Sequence, residues 1–286
     1  MKVGVTGYGV VGSATADVLR RLGHTVVLHD VDPRAQEEAA SHGCGPRHEA
    51  TDVAIDFVCV PETRLEEALT HLPDSPIAVI RSTVPPGTTE RLSEKLGRSF
   101  AYMPEFLRQA TAQWDALNPP FVLIGSFDRE QGATLAELFA PLMVQVVQVT
   151  PPVAEMVKLS LNAYLHTLIS FWNEIHLICE QIGLPSHLFG KLCAQDPRVV
   201  PYGATMHGAP VGGGCLPKDL AQLVAFARDV DYSAGLLAEV QRVNERLLGQ
   251  TRGEHAGRRR DAKTDQRPLD DYSVLFPGTR AGQLRW

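Results

Sequence analysis

Three glycines near the N-terminus restrict the fold of this chain more than any other feature. They stand in the segment Gly7-Tyr8-Gly9-Val10-Val11-Gly12, which follows the β-branched run Val3–Thr6 and precedes the amphipathic stretch Ser13–Leu22. Closely spaced glycines let the chain turn tightly and let a helix pack closely against the preceding strand. The arrangement predicts a strand, a glycine turn and a helix as the first elements.

Apolar runs alternate with amphipathic segments through the first half of the chain. The further predicted strands are Thr25–His29, Ile55–Val60, Ile77–Ile80, Phe121–Ile124 and Val144–Val149. Nearly continuous apolar runs are typical of a parallel sheet that helices cover on both faces. The predicted fold class is therefore α/β, with a doubly wound parallel sheet of the Rossmann type over residues 1–150.

The pattern changes to helices after residue 150. Pro151-Pro152 begins a helical stretch, about Val153–Ile182, whose apolar residues lie on most faces, as in a helix buried in a core or between subunits. Shorter predicted helices are His187–Cys193, Asp219–Asp229 and Ser233–Leu248. We therefore expect an all-helical domain over 151–249 that forms a homodimer through the long helix, and a flexible tail over 250–286.

Composition and charge exclude several classes of partner. The 286 residues carry a net charge of −6, so neither nucleic acid nor an anionic membrane is expected as the main partner. The most apolar stretch, Leu159–Trp172, is interrupted by Asn162 and His166 and is shorter than a membrane span of roughly 18–20 residues. The N-terminus does not have the pattern of a signal peptide. Five cysteines without a CxxC pair predict free thiols, no metal site and a cytoplasmic location.

The glycine segment also has the pattern of a dinucleotide-binding turn. Gly9 would let the backbone approach a pyrophosphate, and the free N–H groups at the start of the helix would bind its oxygens. Asp30 ends the next strand, where its carboxylate would accept hydrogen bonds from a ribose and repel a 2′-phosphate. The expected cofactor is therefore NAD. The residues expected to hold it are Gly7, Tyr8, Gly9, Val10, Val11, Gly12 and Asp30.

Further segments resemble, in the same order, those of the UDP-glucose/GDP-mannose dehydrogenase family. They are Val60-Pro61, Ser82–Thr89, Met103–Arg108, Ala154–Lys158 with Asn162 and Asn173-Glu174, and Asp196–Arg198 with Gly212–Asp219. The resemblance covers residues 1 to about 249. It implies oxidation of a primary alcohol on a nucleotide-linked sugar to a carboxylate with two NAD+. It also implies that the NAD site is completed by Val60, Pro61, Ser82 and Thr83.

The resemblance makes Cys215 the catalytic nucleophile. A thiolate that adds to the aldehyde product of a first oxidation forms a thiohemiacetal, which can lose a second hydride and become a thioester that water hydrolyses. Lys158 and Asn162 lie four residues apart on one helix face, and the resemblance implies that they stabilise oxyanion charge. The group implied to position and deprotonate the hydrolytic water is Glu105, Thr83 and Asp219. Asp219 is also a candidate helix N-cap.

The resemblance also implies a set of substrate contacts. They are Phe106, Leu107, Arg108 and Arg198, of which Arg198 is expected to reach across the dimer.

Three departures from the family pattern concern substrate recognition. Family members continue into another Rossmann-like domain where this chain has only the short stretch 250–286. Gln109 stands where the family has an acid, and the segment Gly208–Gly212 lacks the usual aromatic residue. We therefore expect the reaction type to be retained and the substrate to be altered. Two alternatives stay open: a single-step dehydrogenase of the 3-hydroxyacid type, and a non-catalytic NAD-binding paralogue.

Overall fold

The computed structural model describes residues 1–47 and 52–257 of the chain, and for residues 250–257 it describes the backbone alone. The chain divides into two compact units, Met1–Glu245 and Arg246–Trp286. The predicted division at residue 150 lies inside the first unit and stays a prediction. Within the described ranges, every helix is too short or too polar to cross a bilayer.

The first unit is built on an eight-stranded sheet. Its strands are β1 (Lys2–Thr6), β2 (Thr25–His29), β3 (Gly45–Pro46), β4 (Ile55–Val58), β5 (Ile77–Ile80), β6 (Phe100–Tyr102), β7 (Val122–Gly125) and β8 (Val146–Val149). The spatial order is β3-β2-β1-β4-β5-β6-β7-β8. The first six strands follow the order of the doubly wound dinucleotide-binding fold, which confirms the predicted fold class.

One pair of strands departs from the predicted all-parallel arrangement. Strands β6 and β7 pair antiparallel, whereas all other neighbours in the sheet pair in parallel. Strands β4 and β5 are buried at every position, so both faces of the sheet are covered there. The carboxyl ends of β1, β4 and β5 therefore open at one edge, where ligands bind in folds of this type.

The helices confirm the long element that the sequence predicts. In the first half they are α1 (Val10–Arg21), α2 (Pro33–Ser41), α3 (Glu62–Thr70), α4 (Thr88–Leu96), α5 (Ala112–Leu117) and α6 (Arg129–Phe139). In the second half they are α7 (Pro151–Gln181), α8 (Ser186–Cys193), α9 (Pro201–Ala204), α10 (Cys215–Asp229) and α11 (Gly235–Gly257). Residues 250–257 of the predicted tail are thus helical, and the tail residues 258–286 lie outside the described residues.

A buried carboxylate on α7 holds the loop between β5 and α4. The N-cap of α4 is Gly87, which has a φ of +85° and no side chain to cap the helix. Glu155 takes that role from α7: its Oε2 accepts a hydrogen bond from Gly87 N–H at 2.6 Å and its Oε1 accepts one from Thr89 N–H at 2.8 Å. Such a cap satisfies backbone donors that the first turn of a helix leaves free. The loop that contains Ser82 and Thr83 is therefore fixed against the helix that carries Lys158.

Candidate active site

The glycine loop has the shape that a dinucleotide requires. Gly7 has a φ of +92°, a conformation that favours glycine, and a Cβ on Gly12 would overlap the carbonyl oxygen of Gly7. A Cβ on Gly9 would meet no protein atom within 4 Å, so there is open space beside this residue. Gly9 is also the N-cap of α1, and no side chain occupies that position. The loop therefore leaves room and backbone N–H groups for a pyrophosphate.

Asp30 is held beside this loop as the sequence predicts. Its Oδ2 accepts a hydrogen bond from the Tyr8 N–H at 2.6 Å, and its Oδ1 accepts one from the Asp32 N–H at 2.8 Å. These bonds fix the carboxylate at the end of β2, where a ribose of a bound dinucleotide lies in this fold. Val10 and Val11 are the first two residues of α1. The residues present therefore fit NAD.

The predicted NAD residues beyond the glycine loop follow neighbouring strands. Val60 and Pro61 come just after β4, and Ser82 and Thr83 come just after β5. The Ser82 hydroxyl donates a hydrogen bond to the Val60 carbonyl at 2.6 Å, which ties the two strand ends together. Thr83 is half-buried at the same edge of the sheet.

Lys158 forms a buried ion pair with Glu105. Its Nζ lies 2.9 Å from Glu105 Oε1, and the lysine side chain is only 3% exposed. The other carboxylate oxygen, Oε2, accepts a hydrogen bond from the Leu107 N–H at 2.6 Å. The Phe106 ring also faces the ammonium, with its centroid 5.7 Å from Nζ. A buried charge needs such partners, and the arrangement holds an ammonium group inside the protein.

Asn162 lies one turn further along α7 and connects this helix to α10. Its Nδ2 donates a hydrogen bond to Asp219 Oδ2 at 2.5 Å. Asp219 is 1% exposed, and Lys218 Nζ lies 2.6 Å from its other oxygen, Oδ1. The N-cap of α10 is Gly214, so the alternative role of Asp219 as an N-cap is wrong. The helix begins four residues earlier than predicted, because the segment from Cys215 onward is already helical.

Cys215 is the first residue of α10 and is exposed. Partial burial of its thiol raises the pKa, and the carboxylates of Glu105 and Asp219 raise it further, while Lys158 and Lys218 lower it. The sulfur thus lies within the electrostatic reach of both polar pairs. Because burial and the carboxylates together outweigh the ammonium groups, the pKa of the thiol is raised and its neutral form is favoured.

The predicted substrate contacts are only partly brought together. Phe106 and Leu107 lie at the Lys158–Glu105 pair, whereas the Arg108 guanidinium binds Asp115, with Nη2 2.6 Å from Oδ1. That ion pair holds the pKa of Asp115 well below its usual range. Arg198 lies on the exposed segment after α8, where it binds Asp196 through Nε and Nη2. Its role across a dimer stays a prediction.

Sequence reasoning gave no role to three buried polar residues around this site. They are Glu155, Asn173 and Asn244. Glu155 and Asn173 stand on the largely apolar helix α7, as Lys158 and Asn162 do. A polar residue on the buried face of such a helix must have a partner, so the same argument applied to every polar position would have found them.

Comparison with known proteins shows which family the chain is similar to. Two family models match: the NAD binding domain of the UDP-glucose/GDP-mannose dehydrogenase family over residues 44–143, and its central domain over residues 152–246. UDP-glucose 6-dehydrogenase YwqF of Bacillus subtilis is 31% identical over 85% of this chain and 66% of its own length. UDP-glucose 6-dehydrogenase AglM of Haloferax volcanii is 31% identical over 86% of this chain and 70% of its own length.

The fold of this chain is also similar to that of a solved structure. The UDP-glucose dehydrogenase from Pyrobaculum islandicum superposes with a TM-score of 0.76 at 27% identity, covering 88% of this chain and 71% of that one. The chain spans about two thirds of the length of the curated relatives it matches, 66% of the first. Its sheet and glycine loop are those of an NAD-binding Rossmann protein. The chain belongs to the UDP-glucose/GDP-mannose dehydrogenase family.

Proposed function

We propose that the chain oxidises a primary alcohol of a nucleotide sugar to a carboxylate in two NAD-dependent steps, through a covalent bond to Cys215. The observation that carries this proposal is the buried Lys158 ammonium, which is paired with Glu105 and lowers the pKa of the Cys215 thiol. NAD, when held by the glycine loop and Asp30, accepts the hydride in each oxidation.

In the first oxidation Lys158 stabilises negative charge on the substrate oxygen. An alcohol that loses hydride to NAD+ must also lose its hydroxyl proton, here to water, so alkoxide character develops on that oxygen. A desolvated ammonium aimed at such charge lowers the barrier more than it would in water. The Asn162 amide, one helical turn away, supplies a second polar group on the same face of α7.

The aldehyde product then reacts with Cys215. The sulfur forms a bond to the carbonyl carbon, the carbonyl π electrons move to oxygen, and the thiol proton completes the hydroxyl of a thiohemiacetal. This carbon is tetrahedral again and still bears its hydrogen, so a second hydride leaves to NAD+, the hydroxyl proton leaves to water, and a thioester results. Lys158 and Asn162 again stabilise the charge that develops on oxygen.

Hydrolysis of the thioester needs a base. Water adds to the thioester carbon and loses a proton, and the carbon–sulfur bond breaks to return the thiol. The carboxylates of Glu105 and Asp219 are both buried, both act electrostatically on the cysteine, and can accept that proton. Thr83, on the loop after β5, is the proposed third group of this water site.

A panel of nucleotide sugars that carry a primary alcohol tests the proposal. UDP-glucose and GDP-mannose come first, and the measured quantities are NADH formation and the carboxylate product, identified by mass spectrometry. Cys215→Ala should release no carboxylate. Undiminished turnover by this variant, with an aldehyde product, would favour the single-step alternative, and no NADH from any sugar would favour the non-catalytic one.

We also propose that two copies of the chain associate through α7. A row of apolar side chains repeats at alternating steps of three and four residues along this helix and is exposed or half-exposed. The row consists of Leu161, Tyr164, Leu168, Phe171, Ile175 and Ile178. Such spacing is typical of a helix that packs along a second helix. Among these side chains Phe171 is 55% exposed, which leaves a large aromatic ring in water in the single chain.

Light scattering with size-exclusion chromatography tests this association. The wild type should elute at about 62 kDa, twice the 31.2 kDa of one chain. Phe171→Asp should shift the mass to that of one chain, whereas Phe127→Asp, an exposed position that does not belong to this row of side chains, should not. A wild type at 31.2 kDa, or a Phe171→Asp variant that keeps the doubled mass, would contradict the proposal.

A further inference from the structure

The side chain of Asn173 binds the backbone of the segment that precedes α10 in the sequence. This residue of α7 is fully buried and contacts the backbone of two consecutive residues. Its Oδ1 accepts a hydrogen bond from the Gly208 N–H at 2.8 Å, and its Nδ2 donates one to the Ala209 carbonyl at 2.9 Å. One amide thus satisfies a backbone donor and a backbone acceptor in a segment that has no helix or strand partner of its own.

A second buried asparagine makes the same kind of contact with Val211, three residues after Gly208. Asn244 of α11 accepts a hydrogen bond from the Val211 N–H at 2.7 Å and donates one to the Val211 carbonyl at 3.1 Å. Val211 and Asn244 are both buried. Two amides from two helices therefore fix the backbone over residues 208–211. Each such bond stabilises this geometry, and a buried backbone group left unpaired is destabilising.

The three residues that follow have no such restraint. Gly212, Gly213 and Gly214 carry no side chain, and a Cβ on any of them would meet no atom within 4 Å. Gly213 has a φ of +77°, a conformation that only glycine adopts easily. Glycine is the residue with the most backbone freedom. The first residue of α10 is therefore restrained from two sides: within the helix by the bond of Asp219 to α7, and before the glycine triplet by the contacts of Asn244 with Val211.

We propose that Asn173 and Asn244 are positioning residues for Cys215. They hold the backbone at the start of the glycine triplet, so that the thiol stays beside Glu105, Asp219 and Lys158. The inference rests on the proposed role of Cys215 as the nucleophile. Neither asparagine touches the reacting atoms. Their effect is to keep the sulfur in its partly buried, carboxylate-lined position.

Alkylation of the ligand-free protein by iodoacetamide, with peptide mass spectrometry, tests the inference. In Asn173→Asp and Asn244→Asp the new carboxylate can still accept the hydrogen bond from the backbone N–H. Its second oxygen replaces the amide NH2 and therefore repels the backbone carbonyl that the NH2 group had bound. The loosened thiol then moves away from the carboxylates that raise its pKa, and we expect alkylation of Cys215 to be faster by about threefold or more at pH 8. Cys193, which is exposed at the end of α8, is the internal reference and should react at the wild-type rate.

Lower pH distinguishes lost hydrogen bonds from general damage. A buried aspartic acid that is protonated carries an O–H that can donate to the carbonyl, and burial favours this neutral form. The ratio of variant to wild-type alkylation, compared at the same pH, should return toward one between about pH 8 and 6 for the Asp variants. Asn173→Ala and Asn244→Ala should show no such recovery.

Two results would overturn the inference. One is a Cys215 rate that stays at the wild-type value in both Asp and both Ala variants. The other is an equal increase at Cys193 and Cys215, which would indicate general loosening of the helices. The experiment uses no substrate, so it does not depend on whether Cys215 forms a covalent intermediate. That separate question is answered by NADH and product analysis.

Discussion

The glycine loop after β1 is shaped by its backbone, whereas the cluster between α7 and α10 is shaped by charged side chains. In the loop, Gly7 and Gly12 approach so closely that a Cβ on Gly12 would overlap the Gly7 carbonyl. In the cluster, Lys158 and Asp219 are almost fully buried and each has a polar partner from a distant part of the chain. Added atoms should therefore damage the loop, and removed charges should damage the cluster.

The two regions also differ in their electrostatic character in the absence of ligand. The loop is uncharged apart from Asp30 at its margin and has open space at Gly9. At the cysteine of the cluster, partial burial and then the carboxylates of Glu105 and Asp219 raise the pKa of the thiol. A site of this kind holds its nucleophile as a neutral thiol until the substrate changes the balance of charge. Binding and chemistry should thus be separable by substitution.

The largest expected effect is on turnover in Lys158→Met. Loss of the ammonium removes the group that stabilises charge on oxygen in both oxidations, and kcat should fall by about 1000-fold. The affinity for NADH, measured by fluorescence titration, should change by less than about threefold, because Lys158 lies outside the glycine loop. A variant whose kcat stays within tenfold of the wild type would show that the cluster does not work as described.

Glu105→Gln is the matched substitution across the same ion pair. It removes a carboxylate that raises the Cys215 pKa, so alkylation of Cys215 by iodoacetamide should be faster than in the wild type. Lys158→Met removes a cation that lowers this pKa, so the same reaction should be slower. Shifts in the same direction for both variants would indicate a loss of structure instead of an electrostatic effect.

A smaller effect is expected on cofactor affinity in Gly9→Ala. The added Cβ meets no protein atom, so thermal stability should be unchanged, but it occupies the space beside the pyrophosphate position. The dissociation constant for NADH should rise by about 100-fold, while Cys215 alkylation without NADH stays the same. Gly12→Ala should instead lower the melting temperature, because its Cβ overlaps Gly7. Unaltered NADH affinity in Gly9→Ala would exclude this loop as the phosphate site.

The difference between the two regions also explains what could be predicted from the sequence. The loop is a local feature, because its glycines, the preceding strand and the following helix are contiguous in the sequence. Two further strands, β2 and β5, were also predicted with the bounds that the structure gives. Short elements were missed, among them β6, because three residues give no periodic signal. The antiparallel pairing of β6 with β7 was missed because it depends on the path of the connecting chain.

The cluster could be predicted only through the spacing of Lys158 and Asn162 and through the family resemblance. Glu105 lies 53 residues from Lys158 along the chain, and no local pattern joins them. The start of α10 at Cys215 was missed because three glycines and a proline surround it, which disfavours helix by intrinsic propensity. Tertiary contacts of Asp219 with α7 overcome that preference.

The smallest expected effect concerns a histidine cluster outside both regions. The His207 ring stacks on His187 with centroids 4.6 Å apart and lies 5.9 Å from His176. Burial lowers the pKa of His207, and the neighbouring histidines lower it further. The unfolded chain therefore binds the proton more tightly, so stability is lost as the pH falls through the unfolded value of about 6.5.

The melting temperature should accordingly fall by a few degrees between about pH 7.5 and 5.5, and less in His207→Gln. His71→Gln, an exposed position on the protein surface, is the control and should keep the wild-type dependence. NADH affinity should be the same in both variants at pH 7.5. An identical pH dependence in His207→Gln and the wild type would exclude this histidine as a source of acid sensitivity.

The most direct measurement of the central claim is the amount of NADH formed per molecule of nucleotide sugar that the wild type consumes to completion. A thiol that retains the aldehyde for a second oxidation predicts two equivalents of NADH, with a carboxylate as the product and no free aldehyde. One equivalent with accumulating aldehyde, or no NADH with any nucleotide sugar in the panel, would contradict the account.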